Sequence, residues 1–133
     1  MNRHPSLPAL LLVIAACKNS SGPGSGCTPS ATVACAAIQD FAFSPASLTI
    51  QVGSTVTWTN NGPTAHTTTS DASTWNSGTI SAPSGGGAYG GGAAGGSYQF
   101  VFAAPGTYGY HCALHAPSFP QYAGFTGTIT VTQ

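Results

Sequence analysis

Charge is what this sequence has least of. Arg3, Lys18, Asp40 and Asp71 are the only formally charged side chains in 133 residues, a charged fraction of 3%, against about 25% in ordinary soluble proteins. So few charges leave no basic stripe for nucleic acid and no acidic face for a cationic partner. Methionine is nearly absent as well. Met1 is the only one, so the body of the chain offers no thioether to a metal. No run after residue 27 has the 3.6-residue periodicity of a long amphipathic helix. The length gives room for one domain and not two. Gly, Ser, Thr, Ala and Pro dominate instead, which suits short strands joined by turns.

The N-terminus has its own pattern. Arg3 and His4 precede the apolar run "LPALLLVIAA", residues 7–16, which matches a signal-peptide core and is too short to span a bilayer. The run ends at Cys17, and "VIAAC" resembles a bacterial lipobox. That resemblance implies a signal peptide over residues 1–16 and a lipidated Cys17 as the mature N-terminus. It also implies an exported protein anchored to the membrane of the cell envelope through Cys17. An ordinary secretory signal with a chance cysteine is the alternative. "KNSSGPGSG" then reads as a flexible tether to residue 26, and the domain proper as residues 27–133. Tethering suits a chain whose low charge favours association.

Export changes how the other thiols are read. Cys27 and Cys35 flank "TPSATVA" and are close enough in sequence for a small disulfide loop. Two free thiols or a second metal site are the alternatives, although no histidine lies nearby. A disulfide there would leave Cys112 as an odd cysteine, which calls for an explanation.

From residue 27 onward, short β-prone runs alternate with turn signals. "SLTIQV" puts Leu48, Ile50 and Val52 on one face, and "STVTWTN" does the same for Val56 and Trp58 before "NNGP" turns the chain. "SYQFVF", "GTYGY" and "GTITVT" contribute Tyr98, Phe100, Phe102, Tyr108, Tyr110, Ile129 and Val131. This spacing predicts an all-β fold, a Greek-key antiparallel β-sandwich. Trp58, Phe41, Phe43 and Tyr110 are expected in the core, and Trp75 in the core or a loop. The glycine-rich stretch over residues 81–97 reads as a mobile insertion between strands. It lacks the Lys and the helix start that a phosphate cradle requires.

Beyond His4, the histidines are His66, His111 and His115. Cys112 and His115, with two residues between them, can meet on one metal ion. His66 lies in the loop after "STVTWTN", and loops at one end of a sandwich converge. A thiolate and two imidazoles form the ligand set that suits copper cycling between Cu(I) and Cu(II). Strand alternation would turn His111 away from that site.

"DFAFSPASLTIQVGSTVTWTNNGPTAHTTTS", "TWNSGTI", "APGTYGYHCALH" and "GFTGTITV" together resemble the cupredoxins of the plastocyanin/pseudoazurin type. The likeness runs from about Ile38 to Val131, apart from the glycine-rich insertion. It implies one type 1 copper held by His66, Cys112 and His115, and a structural tyrosine corner at Tyr108. It also puts His111 on a covalent route from the Cys112 sulfur towards the surface. Two departures stand out. Phe125 occupies the place usually held by an axial Met, and nine residues, "APSFPQYAG", separate it from His115. Phe125 on the axial face would leave copper three-coordinate, as in laccase-type centres, with a raised potential. Gln121 is the other axial candidate, because an amide oxygen can act as a weak ligand.

These features point to a one-electron carrier and not an enzyme, since a second copper centre would need more histidines. Redox protein partners would dock on an apolar patch near His115, formed by Ala113, Leu114, Pro117 and Phe119. The competing reading is a periplasmic copper-binding protein for storage or delivery.

Overall fold

The runs that alternate apolar with polar residues fold as strands. A computed structural model describes residues 26–85, 92–115 and 124–133. The strands are β1 (Val33–Gln39), β2 (Ala42–Ser44), β3 (Ser47–Gln51), β4 (Thr55–Asn60), β5 (Thr69–Ser70), β6 (Ser97–Val101), β7 (Gly106–His111) and β8 (Thr126–Thr132). They form two four-stranded sheets, ordered β2-β1-β4-β6 and β3-β8-β7-β5, and no helix occurs among the described residues. The fold is therefore the expected all-β sandwich.

The purely antiparallel pairing expected from the turn pattern needs correction, because both sheets are mixed. β1 runs parallel to β4, from Val33 opposite Thr55 to Ile38 opposite Asn60. β3 runs parallel to β8. The cause is the route of the chain. β1 turns back tightly through Asp40 and Phe41 into β2, and the chain then crosses to the other sheet as β3. It re-enters beside β1 as β4, now pointing the same way. Parallel neighbours require such crossovers, and hairpin signals do not reveal them.

Between the sheets, Ile38, Val56, Trp58, Phe102, Tyr110, Phe125 and Ile129 are all at most 1% exposed. Trp58 stacks on Trp75 with ring centroids 5.6 Å apart, and Phe43 packs on Tyr110 at 4.6 Å and on Phe125 at 4.7 Å. Trp75 thus belongs to the core. Each such side chain contributes roughly 1.5–3 kcal/mol on burial, so this aromatic cluster outweighs any exposed ion pair. Two apolar residues depart from expectation. Val52 is 42% exposed because β3 ends at Gln51 and Gly53 turns the chain at φ 84°. Phe41 is only partly buried; it occupies the β1–β2 turn at φ 65° and faces the histidines described below.

Several local devices fix the frame. The Tyr108 hydroxyl donates to the Ala104 carbonyl at 2.9 Å, which closes a tyrosine corner. Tyr110 lies across Gly127, its partner on β8, where a Cβ would collide with the phenol ring. Cys27 and Cys35 form a disulfide, while Cys112 is a free, buried thiol. The flanks of the glycine-rich insertion are tied together: Ser84 N–H donates to Ala93 O, and Gly96 N–H to Ser81 O. Asn60 N–H in turn donates to Gly96 O, so these flanks are stitched to the end of β4 and do not hang loose. The expected signal, Cys17 and the expected tether up to residue 25 lie outside the described residues, as do Pro117, Phe119 and Gln121.

Candidate metal centre

Three segments meet at one end of the sandwich. His66 follows β4 at the end of the loop that begins "NNGP". Its main chain is clamped by reciprocal hydrogen bonds with Ile80, His66 N–H to Ile80 O at 3.1 Å and Ile80 N–H to His66 O at 2.7 Å. Asn60, fully buried, builds that loop. Its Nδ2 donates to the Thr64 and Ile80 carbonyls at 2.8 and 3.1 Å, and its Oδ1 accepts from Gly62 N–H at 3.0 Å. Cys112 and His115 leave the end of β7, where His115 N–H donates to Cys112 O. Phe125 precedes β8, and its carbonyl accepts from Cys112 N–H at 3.3 Å.

The side chains of His66, Cys112 and His115 converge. His66 Nδ1 lies 3.3 Å from His115 Nδ1, and Cys112 Sγ lies 3.9 and 3.4 Å from those two nitrogens. A triangle with those sides has a circumradius of about 2.1 Å, close to ordinary metal–imidazole bonds of about 2.0–2.1 Å and a little inside metal–thiolate bonds of about 2.3 Å. One ion therefore fits among the three donors. His66 and Cys112 are fully buried, and His115 is half-buried.

Electrostatics favours the anionic thiol. Burial alone would push the Cys112 thiol up, but hydrogen bonds with His66, the Thr67 N–H and His115 outweigh it and bring the thiol down to about 6. The Thr67 N–H lies 3.4 Å from Sγ. Burial would lower His66, yet its contacts with Cys112 and Asp40 prevail and raise it. The metal-free site thus favours a thiolate beside an imidazolium, and a bound cation takes over the charge balance.

Surrounding residues complete the site. Ala113 N–H donates to Thr67 Oγ1 at 2.8 Å, which ties the Cys112 loop to the His66 loop. Trp75 Nε1 donates to Thr68 Oγ1 and Ser77 Oγ accepts from Thr68 N–H, so the segment after His66 is pinned as well. Phe125 is fully buried, with its ring centroid 5.0 Å from that of His66 and 6.3 Å from that of His115. It presents hydrocarbon to the histidines and no donor atom. His111, on β7, points away as strand alternation requires, and its Nδ1 lies 2.6 Å from Asp71 Oδ1.

Asn60, Thr67 and Asp40 were not among the residues singled out from the sequence. Asn60 lies there in a turn signal, Thr67 is one of three consecutive threonines and Asp40 counts only as one of four charged side chains. "NNGP" was the one signal that could have marked Asn60, since turn Asn side chains bond nearby backbone.

A family model described as copper binding proteins, plastocyanin/azurin family, matches residues 30–132. Plastocyanin from Scenedesmus fuscus is 42% identical over 89 residues, which cover 67% of this chain and 85% of that protein. Among solved structures, a novel purple cupredoxin from Nitrosopumilus maritimus matches with a TM-score of 0.56 at 26% identity, covering 74% of this chain and 99% of the other. Oxidised plastocyanin from Dryopteris crassirhizoma matches with a TM-score of 0.50 at 22% identity, covering 74% and 100% of the two chains. At that identity the likeness is one of fold.

Proposed function

The chain belongs to the plastocyanin/azurin family of copper-binding proteins, and from that premise we propose that it is a type 1 copper protein carrying single electrons between redox partners at the cell envelope. One observation carries the reading. Two imidazole nitrogens and one thiol sulfur converge to spacings of 3.3–3.9 Å, with the sulfur and one of the rings fully buried. His66, Cys112 and His115 would hold copper through Nδ1, Sγ and Nδ1. Copper supplies a Cu(I)/Cu(II) couple that accepts and releases one electron.

The chain's own residues keep that couple fast and directed. Thr67 N–H holds the sulfur, and the Ala113–Thr67 bond fixes the two ligand loops to each other. Rigid ligands need little rearrangement when the charge changes. Phe125 would offer a bound copper no donor atom, which would disfavour Cu(II) and raise the potential. Half-buried His115 is the ligand nearest solvent, with Ala113 and Leu114 exposed beside it. That apolar rim is the proposed docking patch. His111, paired with Asp71, offers a second exit from the adjoining strand. Storage or delivery calls for an exchangeable site, and the buried, doubly anchored His66 opposes it. Among the described residues the burial of His66 and Cys112 favours electron transfer through the ligands over substrate binding at the ion, which supports a carrier over an enzyme.

Lipidation of Cys17, after removal of residues 1–16, would place the domain at the membrane on its tether. Cys17→Ser should move the protein from the membrane fraction to the soluble one. Unchanged partitioning would sink the anchor.

The deciding measurement is the visible and EPR spectrum of the Cu(II)-loaded domain. An intense thiolate-to-copper band with narrow hyperfine splitting is expected, and its absence would refute the site. Phe125→Met should then lower the potential. A potential that stays or rises would refute the no-donor assignment. Exchange with a partner protein should change less than about threefold as the Debye length shortens from about 30 to 10 Å. A steeper fall would remove the apolar docking patch.

A further inference from the structure

Two carboxylates are all this chain possesses, and each is bonded to a histidine. Asp71 meets His111 at the surface. Asp40 meets His66, one of the three converging donors, with Oδ1 at 2.9 Å from Nε2. A carboxylate in this pair can only accept, so Nε2 keeps a proton, and Nδ1, the nitrogen that faces Cys112 and His115, is the one left with a lone pair when the ring is neutral.

The placement is built by several independent features. Asp40 and Phe41 form the whole β1–β2 turn, with Gln39 pairing to Ala42. Phe41 takes φ 65° there, which puts its ring edge-on to His66 at 6.1 Å and to His115 at 5.3 Å. Thr64 N–H holds the same Asp40 Oδ1 at 3.3 Å. Gly62 completes the fit, because a Cβ there would strike both Asp40 Oδ1 and the Asp40 main-chain nitrogen. The Asp40 side chain is 28% exposed and His66 is not exposed at all.

We propose that Asp40 is a positioning residue of the copper site: its carboxylate fixes the His66 tautomer and orientation, and its negative charge favours Cu(II) over Cu(I). A carboxylate behind a ligating imidazole raises the ligand's basicity and orients the ring, and losing such a partner typically weakens metal binding by about 10–100-fold. Apart from the Cys112 thiolate on the opposite side of the ring, Asp40 is the charged side chain bonded to His66.

The proposal rests on the copper reading, so the test begins with wild-type protein carrying the thiolate-to-copper band. If the band is missing, the copper reading itself falls. Cu(II) and Cu(I) affinities are then measured by chelator competition for wild type, Asp40→Asn, Asp40→Ala and Asp71→Asn. Asp40→Ala should lose about 10–100-fold in Cu(II) affinity and distinctly less in Cu(I) affinity. Asp40→Asn keeps an acceptor for Nε2–H but not the charge, so it should show the same bias between oxidation states with a smaller total loss. The nitrogen-15 shifts of His66 in the Cu(I) protein should report protonated Nε2 in wild type and Asp40→Asn. Equal losses for both oxidation states would show a merely structural role and overturn the proposal. So would an Asp71→Asn bias as large as that of Asp40→Asn, since the effect would then belong to net charge and not to this contact.

Discussion

Replacing Asn60 with Ala tests whether the loop that presents His66 is held by one buried amide. Nothing else on that loop bonds as much. The amide donates to the Thr64 and Ile80 carbonyls and accepts from the Gly62 N–H, and it is fully buried. Its orientation is dictated by the partners, two of which can only accept and one only donate. Truncation removes three hydrogen bonds at about 1 kcal/mol each and strands the buried Gly62 N–H, costing about 1–3 kcal/mol if water cannot reach it, while the Ile80 carbonyl keeps the His66 N–H. Thr64 lies where water can replace part of the loss, so the expected destabilisation is about 3–5 kcal/mol. Against a typical total of about 5–15 kcal/mol, that is large. Urea unfolding of the copper-free domain should show the midpoint falling with little change in slope. Asn60→Asp should be at least as damaging, because it turns a second oxygen towards the two carbonyls. A loss below about 1 kcal/mol for Asn60→Ala, or a tolerated Asn60→Asp, would refute the role given to the amide.

Other consequences are sharper in their readout. In metal-free protein the Cys112 thiolate should titrate near 6, not at its ordinary 9.0, as followed by ultraviolet thiolate absorbance. A depressed thiol stabilises the fold fully above the unfolded value and loses that contribution as pH falls through the folded one. His66, being raised, contributes below its usual 6.5 and loses that as pH rises through its folded value. Net stability of the metal-free protein should therefore climb from about pH 6, level off while His66 keeps its proton, and climb again towards 9. Metal affinity should drop at least tenfold per unit below 6, because the thiolate must form before binding. Cys27→Ser with Cys35→Ser should lower stability by about 2–3 kcal/mol, given the 8-residue separation, and leave the visible band intact. Loss of the band would mean that the disulfide shapes the site. Phe125→Met and Asp40→Asn push the potential in opposite directions, so the double variant should lie between the two singles.

The three converging donors were legible in the sequence because their residue types are scarce. A chain with three histidines beyond His4 and one leftover cysteine offers few ways to build a site, and motif order did the rest. The core strands were legible for a related reason: alternation in "STVTWTN" and "GTITVT" requires only local knowledge. What escaped depends on contacts across the chain. The parallel pairing of β1 with β4 follows from a crossover that no turn signal encodes. Asp40 acts across 26 residues on His66, and Thr67 across 46 on Ala113. Neither shows a local pattern, and both look like ordinary polar residues of a turn or a threonine run. Phe41 was placed in the core by hydrophobicity alone, whereas its positive φ turns it towards the ligands.

Two opposed influences on copper follow from this arrangement. Phe125 and Phe41 line the histidine rings with hydrocarbon, and Phe43 backs Phe125, whose centroid lies 6.3 Å from that of Phe41 and 4.7 Å from that of Phe43. Hydrocarbon supplies no electron pair to the ion and lowers the local dielectric, and both effects disfavour the doubly charged state. The same low dielectric strengthens every charge that remains nearby. Asp40 is that charge, held against His66 by a turn, a glycine and the Thr64 N–H. Its side chain is 28% exposed, so solvent screens part of its effect, but the hydrogen bond to buried His66 is made inside the site. If Asp40 acts as proposed, the potential reflects both the hydrocarbon of Phe125 and the position of this aspartate, and the two variants separate their shares.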